Sequence, residues 1–221
     1  MELIINMKTK KTTIAFTIDH TFRDVFGKIV KLYNKFYVDE PEIEAQETNS
    51  DFTAPILTLP ITSTNLMNHI PFESTEAMED FIFVEFPLEI FGYANESESG
   101  IIRAFNMWIE SLPENINVIL ISNEIGRTKP STLFFLSKTG SECNTVTFID
   151  DNVNIWDYCD TLVTSGEVKT KKPRCKKLII IDKPFNQQLT GDIRYNSLFD
   201  LFTNDINKLV KPKKWYNKIF C

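Results

Sequence analysis

The sequence predicts an α/β fold, a parallel sheet layered between helices, on three observations. Short β-branched and apolar runs alternate with helical periodicities through residues 113–221. Several of those runs end in a polar or acidic residue, and parallel sheets gather functional groups beyond the carboxyl ends of their strands. Of the 221 residues 43% are hydrophobic, with 18 Phe and only seven Gly. That composition fills one sizeable core, as a single domain with an insertion or with a small cap.

Taken in order, Thr13 to Ile18 is β-branched and apolar and runs into Asp19-His20-Thr21, a buried strand entering a polar turn. Phe22, Val25, Phe26, Ile29, Val30, Tyr33 and Phe36 recur at helical spacing, so an amphipathic helix is expected over 21–37. Its opposite, solvated face is assigned Arg23, Asp24, Lys28, Lys31 and Lys35. Residues 38–80 hold Pro41, Pro55, Pro60 and Pro71 among many Ser and Thr, and little regular structure is signalled there. Periodicity returns with Ile101, Ile102, Phe105, Trp108, Ile109 and Leu112, where Trp108 reads as a core residue. Strands are then expected at Asn117–Ile121, Thr145–Ile149, Thr161–Thr164 and Lys177–Ile181. Helices are expected at Pro130–Lys138, briefly at Val153–Tyr158, and at Ser197–Leu209. The strand-and-helix alternation therefore falls in 1–37 and 113–221, with 38–112 between them. The strand ends are Asp19, Ser122, Asp150-Asp151 and Asp182.

A formal net charge of −6 argues against wholesale binding along a nucleic-acid backbone. The charge is nonetheless segregated. Residues 39–51 carry six acids (Asp39, Glu40, Glu42, Glu44, Glu47, Asp51) and no Lys or Arg. Residues 169–177 carry six bases (Lys169, Lys171, Lys172, Arg174, Lys176, Lys177). The end of the chain, 208–221, interleaves lysines with Trp215, Tyr216 and Phe220. Each run reads as a solvated face or as a docking patch for protein subunits. His69 lies in the irregular insertion and reads as a loop residue. Cys143, Cys159, Cys175 and Cys221 show no metal-ligand spacing, so free thiols in a reducing compartment are expected. No membrane-length apolar run is present, and a soluble cytoplasmic protein is expected.

The strand ends carry a further pattern. Phe16-Thr17-Ile18-Asp19-His20-Thr21-Phe22 resembles the Phe-Asp-x-Asp-Gly-Thr-Leu opening of haloacid dehalogenase (HAD)-like phosphatases. Ser122 in Ile-Leu-Ile-Ser-Asn, Lys129-Pro130 at a helix start, and Asp150-Asp151 after an apolar strand are similar to that family's second, third and fourth motifs. Ile181-Asp182-Lys183-Pro184-Phe185-Asn186 resembles its nucleotidase-like branch. The resemblance implies a three-layer Rossmann-like parallel sheet with a cap inserted over 38–112. It also implies roles: a first Asp attacking phosphorus, a second exchanging protons with leaving group and water, and Ser and Lys holding phosphoryl oxygens. The acidic pair would bind Mg²⁺ with the first Asp.

Position 17 departs from that pattern: Thr17 replaces the nucleophile and one metal carboxylate together, and His20 replaces the turn glycine. Asp19, Ser122, Lys129, Asp150 and Asp151 are accordingly read as inherited scaffold, with a vestigial phosphate or Mg²⁺ site, or altered chemistry, as alternatives. A slipped register would make Asp19 the nucleophile of a Mg²⁺-dependent nucleotide phosphatase; the alignment of Phe16, Ile18 and Thr21 speaks against it. The favoured reading is a catalytically degenerate domain, without cofactor, serving as a structural or interaction subunit. Its Asn/Lys/Ile/Phe-rich composition resembles that of small HAD-like proteins of tailed, including crAss-like, bacteriophages. That resemblance implies a place in a virion or in the host cytoplasm.

Overall fold

The computed structural model describes residues 11–39, 56–124, 126–150, 152–204 and 206–210. Six strands form one parallel sheet in the order β3-β2-β1-β4-β5-β6: β1 (Thr12–Thr17), β2 (Ile116–Ser122), β3 (Val146–Phe148), β4 (Thr161–Thr164), β5 (Lys177–Ile181) and β6 (Ile193–Tyr195). This is the expected α/β, Rossmann-like fold. The order reverses beside β1, whose neighbours β2 and β4 follow it in opposite directions across the sheet, so a crevice opens at their carboxyl ends.

Alternation along each strand sorts the core onto two faces. Ile14, Phe16 and Ile18 of the β1 region, with Leu120, Val163, Ile179 and Ile181, face one way. There they meet α3 (Ile101–Glu110), α4 (Thr128–Thr139), α5 (Leu198–Phe202) and α6 (Ile206–Val210). Ala15, Ile119, Ile121 and Leu162 face the other way, under Trp156 of a 3₁₀ turn (Ile155–Asp157) and Val168. Phe16 is the hub of the first face, with Phe22, Phe105 and Trp108 rings at 5.7, 5.2 and 5.6 Å.

A second, helical cluster is built from α1 (Val25–Tyr33), α2 (Thr75–Asp80) and the wide π-type turns Asn34–Asp39, Phe81–Glu85 and Leu88–Gly92. Asp24 starts α1 by accepting the Gly27 N–H at 2.9 Å. A Cβ at Gly27 would fall 2.0 Å from the Asp24 carboxylate as placed, so a side chain there would require the capping carboxylate to shift. The two clusters divide the helices between them. Helix α1 belongs to the second cluster and α3 to the sheet's own core. Residues 66–92, where sequence signalled little before 80, contain short helices. Glu96 caps α3, accepting from Gly100 and Ile102 N–H at 2.8 and 3.0 Å.

The single terminal helix expected over Ser197–Leu209 is two, separated near Thr203-Asn204. Cys143 and Cys159 are free thiols, but Cys175 is disulfide-bonded, against the expectation of free cysteines throughout. Among the described residues no helix is long and apolar enough to cross a membrane. The acidic run beyond Asp39, Asp151, Trp215, Tyr216 and the rest of the tail from Lys211 lie outside the described residues.

If α3 is part of the sheet core, Phe105→Ala should lower unfolding free energy by about 3–5 kcal/mol. Phe83→Ala, at a largely exposed ring, should cost well under half of that. Equal costs in urea denaturation would contradict this packing.

Candidate functional site

Thr17 ends β1, pairs with Ile121 of β2, and lies beside Thr164 at the end of β4. At this junction a cavity of about 190 Å³ is lined by Thr17, Asp19, Ser122, Asp150, Thr164 and Lys169, among others. The structure thus brings four of the expected site residues, Thr17, Asp19, Ser122 and Asp150, around one space. It does not bring Lys129 there: its ammonium lies 5.6 Å from the Phe148 ring centre, and it is not among the lining residues. Asp182 is likewise absent from the lining and is ion-paired with Arg194. A larger cavity, about 620 Å³, lies at the opposite, amino ends of the strands beside Ile116 and Thr145, away from every motif residue.

The Thr17 hydroxyl is committed to a chain of neutral groups. Ser165 N–H donates to Thr21 Oγ1 at 3.0 Å, which leaves the Thr21 hydroxyl to donate to Thr17 Oγ1 at 2.9 Å. Thr17 then donates to Thr164 Oγ1 at 2.9 Å. Thr164 donates in turn to the Gly166 carbonyl oxygen at 3.3 Å and accepts the Gly166 N–H at 2.9 Å. Among the described residues no base takes the Thr17 proton, which is directed at the Thr164 hydroxyl, so these residues do not activate it as a nucleophile.

Asp19 is committed as well. Its carboxylate pairs with Arg23 Nε at 2.5 Å. Arg23 is 0% exposed, which corrects its assignment to a solvated helix face. The physical reason is local: α1 begins only at Val25, and residues 18–23 form a closed turn in which Phe22 and Arg23 N–H groups both donate to the Ile18 carbonyl oxygen. Helical phase does not apply there. The guanidinium continues to Glu124, to Thr132 Oγ1 at 2.8 Å and to the Phe91 carbonyl oxygen at 2.8 Å, and lies over the Phe91 ring at 4.9 Å. One cation therefore ties the β1 loop, the β2 end, α4 and the second cluster together.

Burial, then the nearby Asp19 charge, raises Glu124 to about 7, against the lowering effects of Arg23 and of the Thr132 hydroxyl that donates to it. His20 holds the left-handed φ of 61° that a glycine would take. Its ring lies 4.0 Å from that of Phe26 and 5.0 Å from that of Phe185. Burial pushes it down to about 4, so it is neutral near pH 7. Asn186, fully buried, stitches the strand ends: its amide donates to the Ser165 and Ile181 carbonyl oxygens, both at 2.8 Å.

Among the described residues, which do not include Asp151, the donors at this cavity do not assemble a Mg²⁺ site. Thr17 offers a neutral hydroxyl already in use, and Asp19 is neutralised by Arg23, leaving Asp150 as an exposed carboxylate at the cavity. Among the described residues no three His, Cys, Asp or Glu side chains are grouped to hold a metal. His69 follows a short 3₁₀ turn (Leu66–Asn68), away from this cavity. Arg23, Glu124 and Thr164 were not singled out from sequence as site residues. The available signal was their position one turn beyond, or directly at, strand ends.

No family model and no curated protein matches the chain. Solved structures similar to it include a HAD-superfamily hydrolase, subfamily IA, variant 1, from Geobacter sulfurreducens PCA, at 12% identity over 88% of this chain and 98% of that one, TM-score 0.47. Another is described as a haloacid dehalogenase-like hydrolase from Burkholderia xenovorans LB400, at 10% identity over 91% and 99%, TM-score 0.47. At such identity and overlap the likeness says nothing about chemistry.

Glu124 has a pH signature with a definite sign. Its folded value exceeds the unfolded one, so its contribution to stability is present below about 4.5 and lost as pH rises through about 7. His20 has the opposite sign: its folded value is depressed, so its contribution is present above 6.5 and lost as pH falls towards 4. Glu124→Gln should therefore gain roughly 1–3 kcal/mol on the unmodified protein between pH 5 and pH 8 in urea denaturation. Parallel stability curves would show that Glu124 does not hold its proton in the folded state.

Proposed function

We propose that this chain is a HAD-like domain retired from phosphoryl transfer and used as a structural or interaction subunit. The observation that carries the proposal is the double commitment at the end of β1. Thr17, at the nucleophile position, donates its proton to Thr164, and Asp19, at the acid–base position, is held by buried Arg23. A carboxylate paired with a guanidinium is a weak base, and an unactivated hydroxyl is a weak nucleophile. Both groups that would move in catalysis instead hold the fold together.

The order of motif-like residues at successive strand ends supports the HAD-like part of the reading. The partner surfaces expected from charge need one refinement. In the basic run, Lys172 and Lys176 form ion pairs within the chain with Asp192 and Asp160, at 2.9 and 3.0 Å. Lys177 donates to the Lys208 carbonyl oxygen. The run is thus partly a fastening of this domain and a weaker candidate for docking. A virion or host-cytoplasm setting is proposed from composition alone.

The test is turnover of an aryl phosphate and a panel of deoxynucleoside monophosphates with Mg²⁺, for the unmodified protein, Thr17→Asp and Asp19→Asn. The proposal expects none from the unmodified protein and a gain in Thr17→Asp. Turnover by the unmodified protein that disappears in Asp19→Asn would instead establish a phosphatase working through Asp19.

A further inference from the structure

Helix α4 is apolar on two sides. Phe135 and Leu136 are buried under the sheet, yet Leu133 and Phe134 are 49% and 38% exposed. Leu88 (41%) and Tyr93 (49%), at the π-type turn packed on α4, extend the same surface. The Tyr93 and Phe134 rings are 5.0 Å apart. Leu88 and Phe134 close over Gly92 from two sides: a Cβ at Gly92 would meet their methyl and ring carbons at 2.7 and 3.0 Å. Contiguous exposed aromatic and aliphatic groups of this kind mark contact surfaces more often than scattered ones do.

The rim is basic. Lys138 lies 5.3 Å from the Tyr93 ring centre and donates to the Ala94 carbonyl oxygen at 3.2 Å. Lys28 of α1 is depressed first by its partial burial and then by the charges of Lys31 and Lys138, with Glu89 opposing, so these three lysines stand within electrostatic reach of one another. Among the described residues none of these three lysines forms an ion pair with a carboxylate. A second copy docking through the same patch would set lysines against lysines, which costs affinity. An acidic surface would be drawn to it.

We propose that Leu88, Tyr93, Leu133 and Phe134, rimmed by Lys28, Lys31 and Lys138, form a docking surface for another protein. The occupant is a segment in which Asp or Glu flanks aliphatic or aromatic anchors. Anchors cover the Phe134–Tyr93 centre and carboxylates meet the lysine rim. This deepens the interaction-subunit reading by naming the partner's chemistry. Its readout is binding, so its failure is separable from that reading's failure, which is read in turnover.

The experiment selects a displayed random-peptide library against the full chain. Recovered sequences should be enriched in Asp and Glu beside Leu, Ile or Phe. Their binding should weaken about tenfold in Phe134→Glu and in Lys138→Glu and fall on raising salt. Phe199→Glu, at an exposed aromatic outside the patch, should change nothing, and Tyr93→Gln provides a milder second variant. Neutral or basic recovered peptides, or binding indifferent to both Phe134→Glu and Tyr93→Gln, would overturn the proposal. Self-association of the unmodified protein abolished by Phe134→Glu would overturn it too, by placing a second copy on the patch.

Discussion

A guanidinium taken fully out of water must be met by compensating charge and by acceptors for its N–H groups. Arg23 meets that demand with Asp19, Glu124, Thr132 and the Phe91 carbonyl oxygen, and these four partners come from four different parts of the chain. Much of what surrounds the crevice follows from this. The β1 loop closes because Asp19 is drawn to Arg23. The second cluster is tied to the sheet core because Phe91 presents its carbonyl oxygen to the same cation. Glu124 is raised by its burial and then by the Asp19 charge beside it, against the lowering pull of Arg23.

The same constraint separates architecture from chemistry. A crevice at the carboxyl ends of a parallel sheet is set by strand order, and this chain has it whatever stands at positions 17 and 19. Chemistry there needs a nucleophile with somewhere to put its proton and a carboxylate free to exchange one. The hydroxyl chain through Thr21, Thr17 and Thr164 and the clamp on Asp19 use those groups as fasteners. Stability and activity compete for the same side chains, and on the proposed reading the balance favours stability.

Much of the sheet was legible from sequence because its strands are short β-branched runs ending in polar residues, and Thr17, Asp19, Ser122 and Asp150 meet where strand order puts them. Three things were not. Arg23 occupies a helical-periodic position ahead of a helix that has not yet begun, so its phase pointed to solvent when the turn carries it inward. The apolar residues Phe81, Ile82, Phe86, Ile90 and Phe91 are spaced by π-type turns, which break the 3.6-residue period on which helix recognition depends. β6 is three residues long, with exposed Arg194 in its middle, too short for a periodic signal. Lys129 shows the converse: a motif-like position at a helix start whose ammonium lies over the Phe148 ring and outside the lining of the crevice.

The most direct test of the central claim is the unfolding free energy of Asp19→Asn, measured in urea at neutral pH beside the unmodified protein. If Asp19 is a structural counter-charge to Arg23, its loss should destabilise the fold by about 1–3 kcal/mol. A variant as stable as the unmodified protein, or more stable, would contradict the account, because groups held ready for catalysis are usually kept at a cost to stability.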